Sequence, residues 1–297
     1  MAVTTRRQSK EAWFRRGAHA ISCVVSPSPP KDAYLCPLCL NFFTIQQLRA
    51  GDVTDEHVPP SAVGGKALVL TCKACNSVSS GMCDGPMASE ERMRTFGQTY
   101  SLGPLPASVT VDGSRMNGSL DFDGQRFNMQ GLPDQNSPGR MEEHEAALDQ
   151  LAPGQSLTVE IRMRGWPARA RLGWMRSAYL AAFAVYGYRY ILQPAFAPLR
   201  DALRDLSGGH FEPVVLKLAH EGPLDPLIAE VNGPVPFAGC RAAVFGPRLI
   251  LLPPSLAPAD WFATLEQRLL ANSPEGLDLA SVIGRRFPHG PMHLTDG

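Results

Sequence analysis

Four cysteines in two C-x-x-C pairs constrain this chain more than any other feature. Cys36-Pro37-Leu38-Cys39 opens a segment that Cys72-Lys73-Ala74-Cys75-Asn76 closes, with 32 residues between the pairs. Zinc prefers four thiolates or imidazoles in a tetrahedron, each sulfur about 2.3 Å from the metal. Two sulfurs three positions apart on a tight turn supply half of that tetrahedron, and a hairpin that joins two such turns completes it. The spacing predicts a structural zinc clamp at Cys36, Cys39, Cys72 and Cys75, whose metal binding contributes directly to folding. A redox role for one pair leaves the other unexplained. Seven cysteines, four of them in these pairs, fit a reducing compartment and metal binding better than disulfides. Cys83 reads as a small buried apolar residue.

Asp55-Glu56-His57 lies between the pairs. Hydrolysis of a phosphodiester needs a base to activate water, a divalent ion to stabilise developing charge, and donors to hold the phosphate. A carboxylate can bind Mg²⁺ or a similar hard ion, and a neighbouring histidine, titrating near 6.5, suits the base. An acid–histidine pair inside a zinc clamp therefore points to a scaffold for a second, catalytic metal. In an ideal strand Asp55 and His57 share a face and Glu56 points away, so spacing alone leaves both acids as candidates. Zinc-dependent deamination needs His-x-Glu and Pro-Cys-x-x-Cys, whereas Glu56-His57 has the opposite order and no proline precedes Cys72. It also has no phosphate-cradling glycine loop and no Gly-x-Ser-x-Gly elbow.

Glu56-His57-Val58-Pro59-Pro60-Ser61-Ala62-Val63-Gly64-Gly65, followed by Leu70-Thr71-Cys72-Lys73-Ala74-Cys75-Asn76, resembles the HNH endonuclease motif. The resemblance covers about residues 34 to 90. It implies a ββα-metal module with a four-cysteine structural zinc site. His57 matches the general base, Glu56 the first metal ligand and Asn76, at the start of the helix, the second, for a catalytic Mg²⁺ or Mn²⁺. In a subset of the family Gly and Asp follow the Cys-Asn, here Gly81 and Asp84, which makes Asp84 a further candidate beside Asp55. One position departs from the pattern. The middle Asn that orients the histidine is Ala67. The resemblance implies a nuclease acting on nucleic acid, DNA before RNA, and by family habit a role in defence against foreign DNA.

The rest of the chain is read from periodicity and punctuation. Val53 to Val58 and Ala67 to Thr71 read as strands around the Gly64-Gly65 turn, and Asn76 to about Phe96 as one or two helices. Residues 1–30 read as a basic flexible arm with a short helix around Ser9 to Ala20, ending in Ser26-Pro27-Ser28-Pro29-Pro30. Residues 31–100 form the nuclease-like module and 105–297 an α+β domain of unknown role, so the fold class is α+β. Asp112-Gly113 and Asp123-Gly124 mark hairpins, and Met141 to Leu151 a helix. Leu157 to Met163 alternates like a half-buried strand. Ala168 to Tyr190 is a helix with Leu172, Met175, Tyr179, Ala182, Phe183 and Tyr186 on one face. A second helix follows Pro198 and ends at Gly208-Gly209. Short strands lie at Val214 to Leu218, Ala242 to Phe245 and Leu249 to Leu252. Trp261, Phe262, Leu265 and Leu269 mark a last helix, and the tail after Gly284 reads as loose.

Net charge is zero, which argues against coating nucleic acid through bulk charge. A local patch is still offered by Arg162, Arg164, Arg169, Arg171 and Arg176, with Trp166 and Trp174 among them. The tyrosines Tyr179, Tyr186, Tyr188 and Tyr190 read as core. No apolar run reaches the length of a membrane span, and the basic N-terminus lacks the apolar stretch of a secretory signal. A cytoplasmic location is expected. The main alternative is a non-catalytic zinc module that binds nucleic acid or protein. A third reading is a nuclease effector switched on by a ligand of the C-terminal domain, with homo-oligomer or regulatory partners there.

Overall fold

The computed structural model describes residues 6–27, 29–99, 102–122, 125–161, 167–204, 211, 213–217, 226–231, 237, 239–272 and 283–286. The chain begins with helix α1 (Arg6–Ser22), strands β1 (Tyr34–Leu35) and β2 (Phe42–Phe43), and the short helix α2 (Ile45–Ala50). Strands β3 (Val53–Val58) and β4 (Lys66–Cys72) follow, then helix α3 (Lys73–Ser79), a π-helical turn (Ser80–Asp84) and helix α4 (Gly85–Thr99). Next come β5 (Leu102–Val111), β6 (Ser114–Phe122), β7 (Phe127–Gly131), α5 (Pro138–Asp149) and β8 (Thr158–Ile161). The remainder is α6 (Pro167–Ile191), α7 (Ala197–Arg204), β9 (Leu216–Lys217), β10 (Leu227–Glu230), β11 (Arg241–Phe245), β12 (Arg248–Leu252), α8 (Trp261–Asn272) and β13 (Ile283–Arg286). The fold is α+β, as expected.

Met1–Met87 and Ala168–Gly297 form one compact unit, and Ala88–Pro167 forms a second. The cysteine-bracketed segment thus shares a unit with the C-terminal part of the chain. The linear succession expected from the sequence, 31–100 followed by 105–297, differs from this grouping. The smaller unit is a four-stranded antiparallel sheet in the order β7-β6-β5-β8, with α5 packed on β6. Its first hairpin turns at Asp112-Gly113, both with positive φ. Asp123-Gly124 lies outside the described residues.

In the larger unit, β10, β11, β12, β9 and β13 form a five-stranded sheet in the order β13-β10-β11-β12-β9, antiparallel throughout. Helix α6 differs from the one-faced helix expected. Ala178, Leu180, Ala181 and Ala184 are as buried as Tyr179 and Phe183. A helix buried on all sides lies in the middle of a core rather than on its surface, and α6 contributes most of its length to one cluster that also contains Val58, Leu68 and Val69 of the β3–β4 hairpin and Ile250 and Leu251 of β12. Gly187, at φ 68°, breaks its helical path near the end. Tyr179, Tyr188 and Tyr190 are buried, and each phenol donates to a backbone carbonyl, of Pro37, Leu35 and Pro253 respectively. Gly208-Gly209, most of the tail after Gly284, Arg162, Arg164 and Trp166 fall outside the described residues.

The basic N-terminal segment is a docked helix rather than a solvated arm. Phe14, Ala18 and Ile21 of α1 are buried, and Phe14 joins Tyr34, Leu48, Val53 and Leu70 in a small satellite core on one face of the hairpin. Apolar side chains at i, i+4 and i+7 give α1 a stripe to bury despite its basic composition.

The β3–β4 connection explains both glycines of the Gly64-Gly65 pair. Gly64 sits at φ 84°, the left-handed region that favours glycine, with open space where a Cβ would point. Gly65 is constrained by contact instead, since a Cβ there would lie 1.4 Å from the carbonyl oxygen of Pro59. Backbone cannot move aside as a flexible side chain does. Gly65→Ala is therefore expected to destabilise the protein by at least about 3 kcal/mol. Gly64→Ala should cost about 1 kcal/mol from its left-handed backbone. Chemical denaturation of the two variants checks the order, and a Gly65→Ala variant as stable as Gly64→Ala would contradict the close approach.

Candidate functional site

Two turns bring the four cysteines together. The first follows β1, where Cys36 N–H donates to Asn41 O at 2.9 Å and Leu40 N–H donates to Cys36 O at 3.0 Å. The second is the junction of β4 and α3. The four Sγ atoms lie within 4.8 Å of one another, and Cys39 Sγ is 3.7 Å from Cys72 Sγ. A tetrahedron with metal–sulfur bonds of about 2.3 Å has edges of about 3.8 Å, so the cluster has the size of a four-coordinate thiolate site. Backbone N–H groups of Cys72 and Cys75 point at Cys36 Sγ and Cys72 Sγ, both at 3.4 Å, the outer-shell support that thiolate ligands take from backbone. All seven cysteines are unpaired by disulfides.

The thiols act on one another electrostatically as a group. Hydrogen bonds from Cys36 and then Cys39 pull Cys72 far below the thiol range, and Cys36 holds Cys39 down to about 7. The same mutual contacts push Cys36 and Cys75 up. A divalent cation bound among them would hold all four as thiolates. Cys83 stands apart from this cluster. It is buried, and desolvation raises its thiol to about 11, which agrees with a structural role.

The acid–histidine segment lies on β3. The β3–β4 register shifts between Glu56 and His57: Glu56 pairs with Val69 and His57 with Ala67, leaving Leu68 as the extra residue of a bulge. A bulge re-aims side chains at the point where it occurs. It separates the three acid–histidine residues by environment. Asp55 forms an ion pair with Lys10 of α1 at 3.1 Å. Glu56 is buried on the other side, where Oε1 accepts from Arg176 Nη1 of α6 at 2.9 Å and Oε2 accepts from Thr71 Oγ1 at 3.0 Å. His57 is half-buried, and its imidazole has no hydrogen-bond partner among the described residues. The position paired with it is Ala67, which has no side-chain acceptor to fix the ring.

Asn76 is held from the first turns of α3. Its amide nitrogen donates to Thr54 Oγ1 at 3.0 Å and to Asp55 O at 3.2 Å. These two bonds use its donors and leave the carbonyl Oδ1 as the atom offered to a ligand. Thr54 precedes Glu56 by two positions, so the helix is tied to β3 beside Glu56. Asp84 closes the π-helical turn, a feature common at functional sites. Its Oδ1 is buried and without a partner among the described residues. Burial pushes its carboxyl up to about 6, with Arg176 pulling it down and Glu56 pushing it up. Glu56, Asn76 and Asp84 therefore offer hard oxygen donors of the kind that suits Mg²⁺ or Mn²⁺. The ion-pair partner of Asp55 is Lys10 of α1.

The carboxyl of Asp84 has a stability consequence. Its folded pKa lies above the unfolded value of 3.8, so the native state binds the proton more tightly and loses stability as pH rises from about 4 to 6. The cost is fully present above pH 6. Discounted for partial exposure, it amounts to about 1 kcal/mol. Asp84→Asn should thus be more stable than the wild type by that amount at pH 7.5 without added divalent ions, with the difference shrinking toward pH 5. Urea denaturation at both pH values reads this, and a variant less stable at pH 7.5 would refute it.

Two members of the arginine–tryptophan patch are interior. Arg176 is 3% exposed and paired with Glu56, and Trp174 is 2% exposed beneath the guanidinium of Arg248, 4.2 Å from its ring centroid. Neither lies on the exposed surface. Arg169 directs Nη1 to Met82 Sδ at 3.7 Å. Sequence reasoning missed Arg176 and Thr71 as partners of Glu56, and it missed the two tyrosines that hold the first cysteine turn. The tyrosine series of α6 is a faint signal for the latter, and no local pattern reports Arg176.

Among the described residues, no helix is long and apolar enough to cross a membrane. Comparison with protein-family models, with curated proteins and with solved structures finds no match.

Proposed function

We propose that this protein is a metal-dependent endonuclease of the HNH type that hydrolyses phosphodiester bonds, with DNA as the preferred substrate. Cys36, Cys39, Cys72 and Cys75 hold a structural zinc. Glu56 and Asn76, with Asp84 beside them, hold a Mg²⁺ or Mn²⁺ ion. That ion supplies the positive charge that stabilises the phosphate and the leaving oxygen as charge develops. His57 takes the proton from the attacking water. The observation that carries this function is the tie from Asn76 to Thr54 and Asp55, because it joins the helix that follows the second cysteine pair to the strand that bears Glu56 and His57. The zinc's role is then positional: it holds the start of α3 in register with β3.

Plasmid nicking by the zinc-loaded protein with Mg²⁺ or Mn²⁺ tests the assignment. Conversion of supercoiled to nicked circles that needs the divalent ion is expected. No cleavage under either metal, with DNA binding retained, would overturn it in favour of a non-catalytic zinc module. Ala67 opposite His57, and the engagement of both Glu56 oxygens, are the observations that favour that second reading. A role in defence against foreign DNA, a cytoplasmic location and regulation through the C-terminal residues belong to the same proposal.

A further inference from the structure

Glu56 and Arg176 are an unusual pair for a cation site. Their side chains are 6% and 4% exposed, and they meet at 2.9 Å. The other carboxylate oxygen is taken by Thr71. Both oxygens of the candidate metal ligand are thus engaged, one by a full positive charge. The neighbourhood is also incompletely satisfied. Among the described residues, Arg176 Nη2 and Asp84 Oδ1 are buried without partners, although Arg176 and Glu56 lie close enough to act on the Asp84 carboxyl. Buried polar atoms left unpaired mark a place where a ligand or a second arrangement belongs.

Charge decides what that second arrangement contains. With both carboxylates ionised, Glu56 and Asp84 share one guanidinium, which leaves a net charge of minus one. A guanidinium has a fixed fork and is weakly hydrated, so it holds a buried carboxylate well, but it does not neutralise two. A divalent ion brings the cluster to plus one, and a single phosphodiester, itself a monoanion, brings it to zero. The cluster is balanced when ion and substrate are both present, and it keeps Arg176 in both states.

We infer that Arg176 is the resting counter-ion of the divalent-cation site: its guanidinium occupies the Glu56 carboxylate, yields that carboxylate to the ion, and then serves the phosphodiester. The inference rests on the nuclease reading and adds a positioning residue on α6, remote in sequence from the β3–β4–α3 segment. It predicts that ion and guanidinium compete. If the arrangement with Arg176 released is populated less than about a tenth of the time, the apparent affinity for the ion is lowered more than about tenfold by Arg176.

The test is titration of the zinc-loaded full chain with Mn²⁺, followed by electron paramagnetic resonance. Wild type, Arg176→Gln, Arg176→Lys and Glu56→Gln are compared, with zinc content and a cooperative melt confirming that each is folded. Arg176→Gln is expected to bind Mn²⁺ about tenfold or more tightly than wild type. Arg176→Lys, whose single-headed ammonium holds a carboxylate less firmly, should fall between them, and Glu56→Gln should lose the site. Should Arg176→Gln fail to fold, the tightening is read from Arg176→Lys. Equal affinities across wild type and both Arg176 variants, or loss of Mn²⁺ binding in them, overturn the inference while leaving the nuclease assignment standing. No Mn²⁺ binding by any of the proteins, together with no cleavage, sinks both.

Discussion

Cys75→Ser is expected to abolish zinc binding and to remove the cooperative unfolding transition of the larger unit. The four thiols lie within 4.8 Å of one another, and three thiolates with a serine hydroxyl make a poor tetrahedron for zinc. Structural zinc sites contribute roughly 10–16 kcal/mol of apparent binding free energy at neutral pH, as large as the whole net stability of an ordinary domain, about 5–15 kcal/mol. The consequences reach beyond the clamp. Tyr179 and Tyr188 of α6 donate to the carbonyls of Pro37 and Leu35, so release of the first cysteine turn leaves buried phenols without acceptors. Elemental analysis of protein purified without chelator should give about one zinc per chain for wild type and almost none for the variant. A Cys75→Ser protein that melts like wild type, or a wild type free of zinc, would refute the clamp. Acid should release the metal as protons compete for the thiolates.

His57→Ala is expected to lower the nicking rate by about 10²–10⁴-fold, the usual contribution of a positioned general base. The half-buried imidazole makes no hydrogen bond among the described residues, so its removal should leave zinc content, melting and DNA affinity near those of wild type. This separates chemistry from folding. A structural histidine would show the reverse pattern, with stability falling and cleavage per folded molecule unchanged. On the proposed nuclease reading, Ala67 opposite the ring should keep the wild-type rate low, because a base whose orientation is not fixed spends less time aligned with its water.

The local part of this arrangement was legible in the chain. The C-x-x-C spacings, the strands Val53 to Val58 and Ala67 to Thr71, the Gly64-Gly65 turn and the helical stretch after Asn76 are short-range patterns, each set by spacing, period or backbone geometry within a few residues. They reappear as β3, β4, their connection and α3 with α4. The hairpin at Asp112-Gly113 and helices α5, α6 and α8 were readable for the same reason. Strand β10, Leu227–Glu230, was not, because four residues are too short a window for periodicity to speak. The docking of α1 was hidden by its arginines, since a basic composition masks a narrow apolar stripe. The burial of α6 on every side escaped a one-face reading, because alanine is compatible with either surface or core.

Sequence by itself determined which atoms are available: four thiols at metal-binding spacing, an acid–histidine pair on a strand, and an asparagine at the start of the following helix. Tertiary structure alone decided how they are charged and partnered. Lys10 draws Asp55 toward α1, and Arg176, 120 positions from Glu56, meets it among buried side chains. A contact of that kind leaves no local trace. It is specified by the packing of α6 against the hairpin, and its strength comes from the desolvation that only the assembled core imposes.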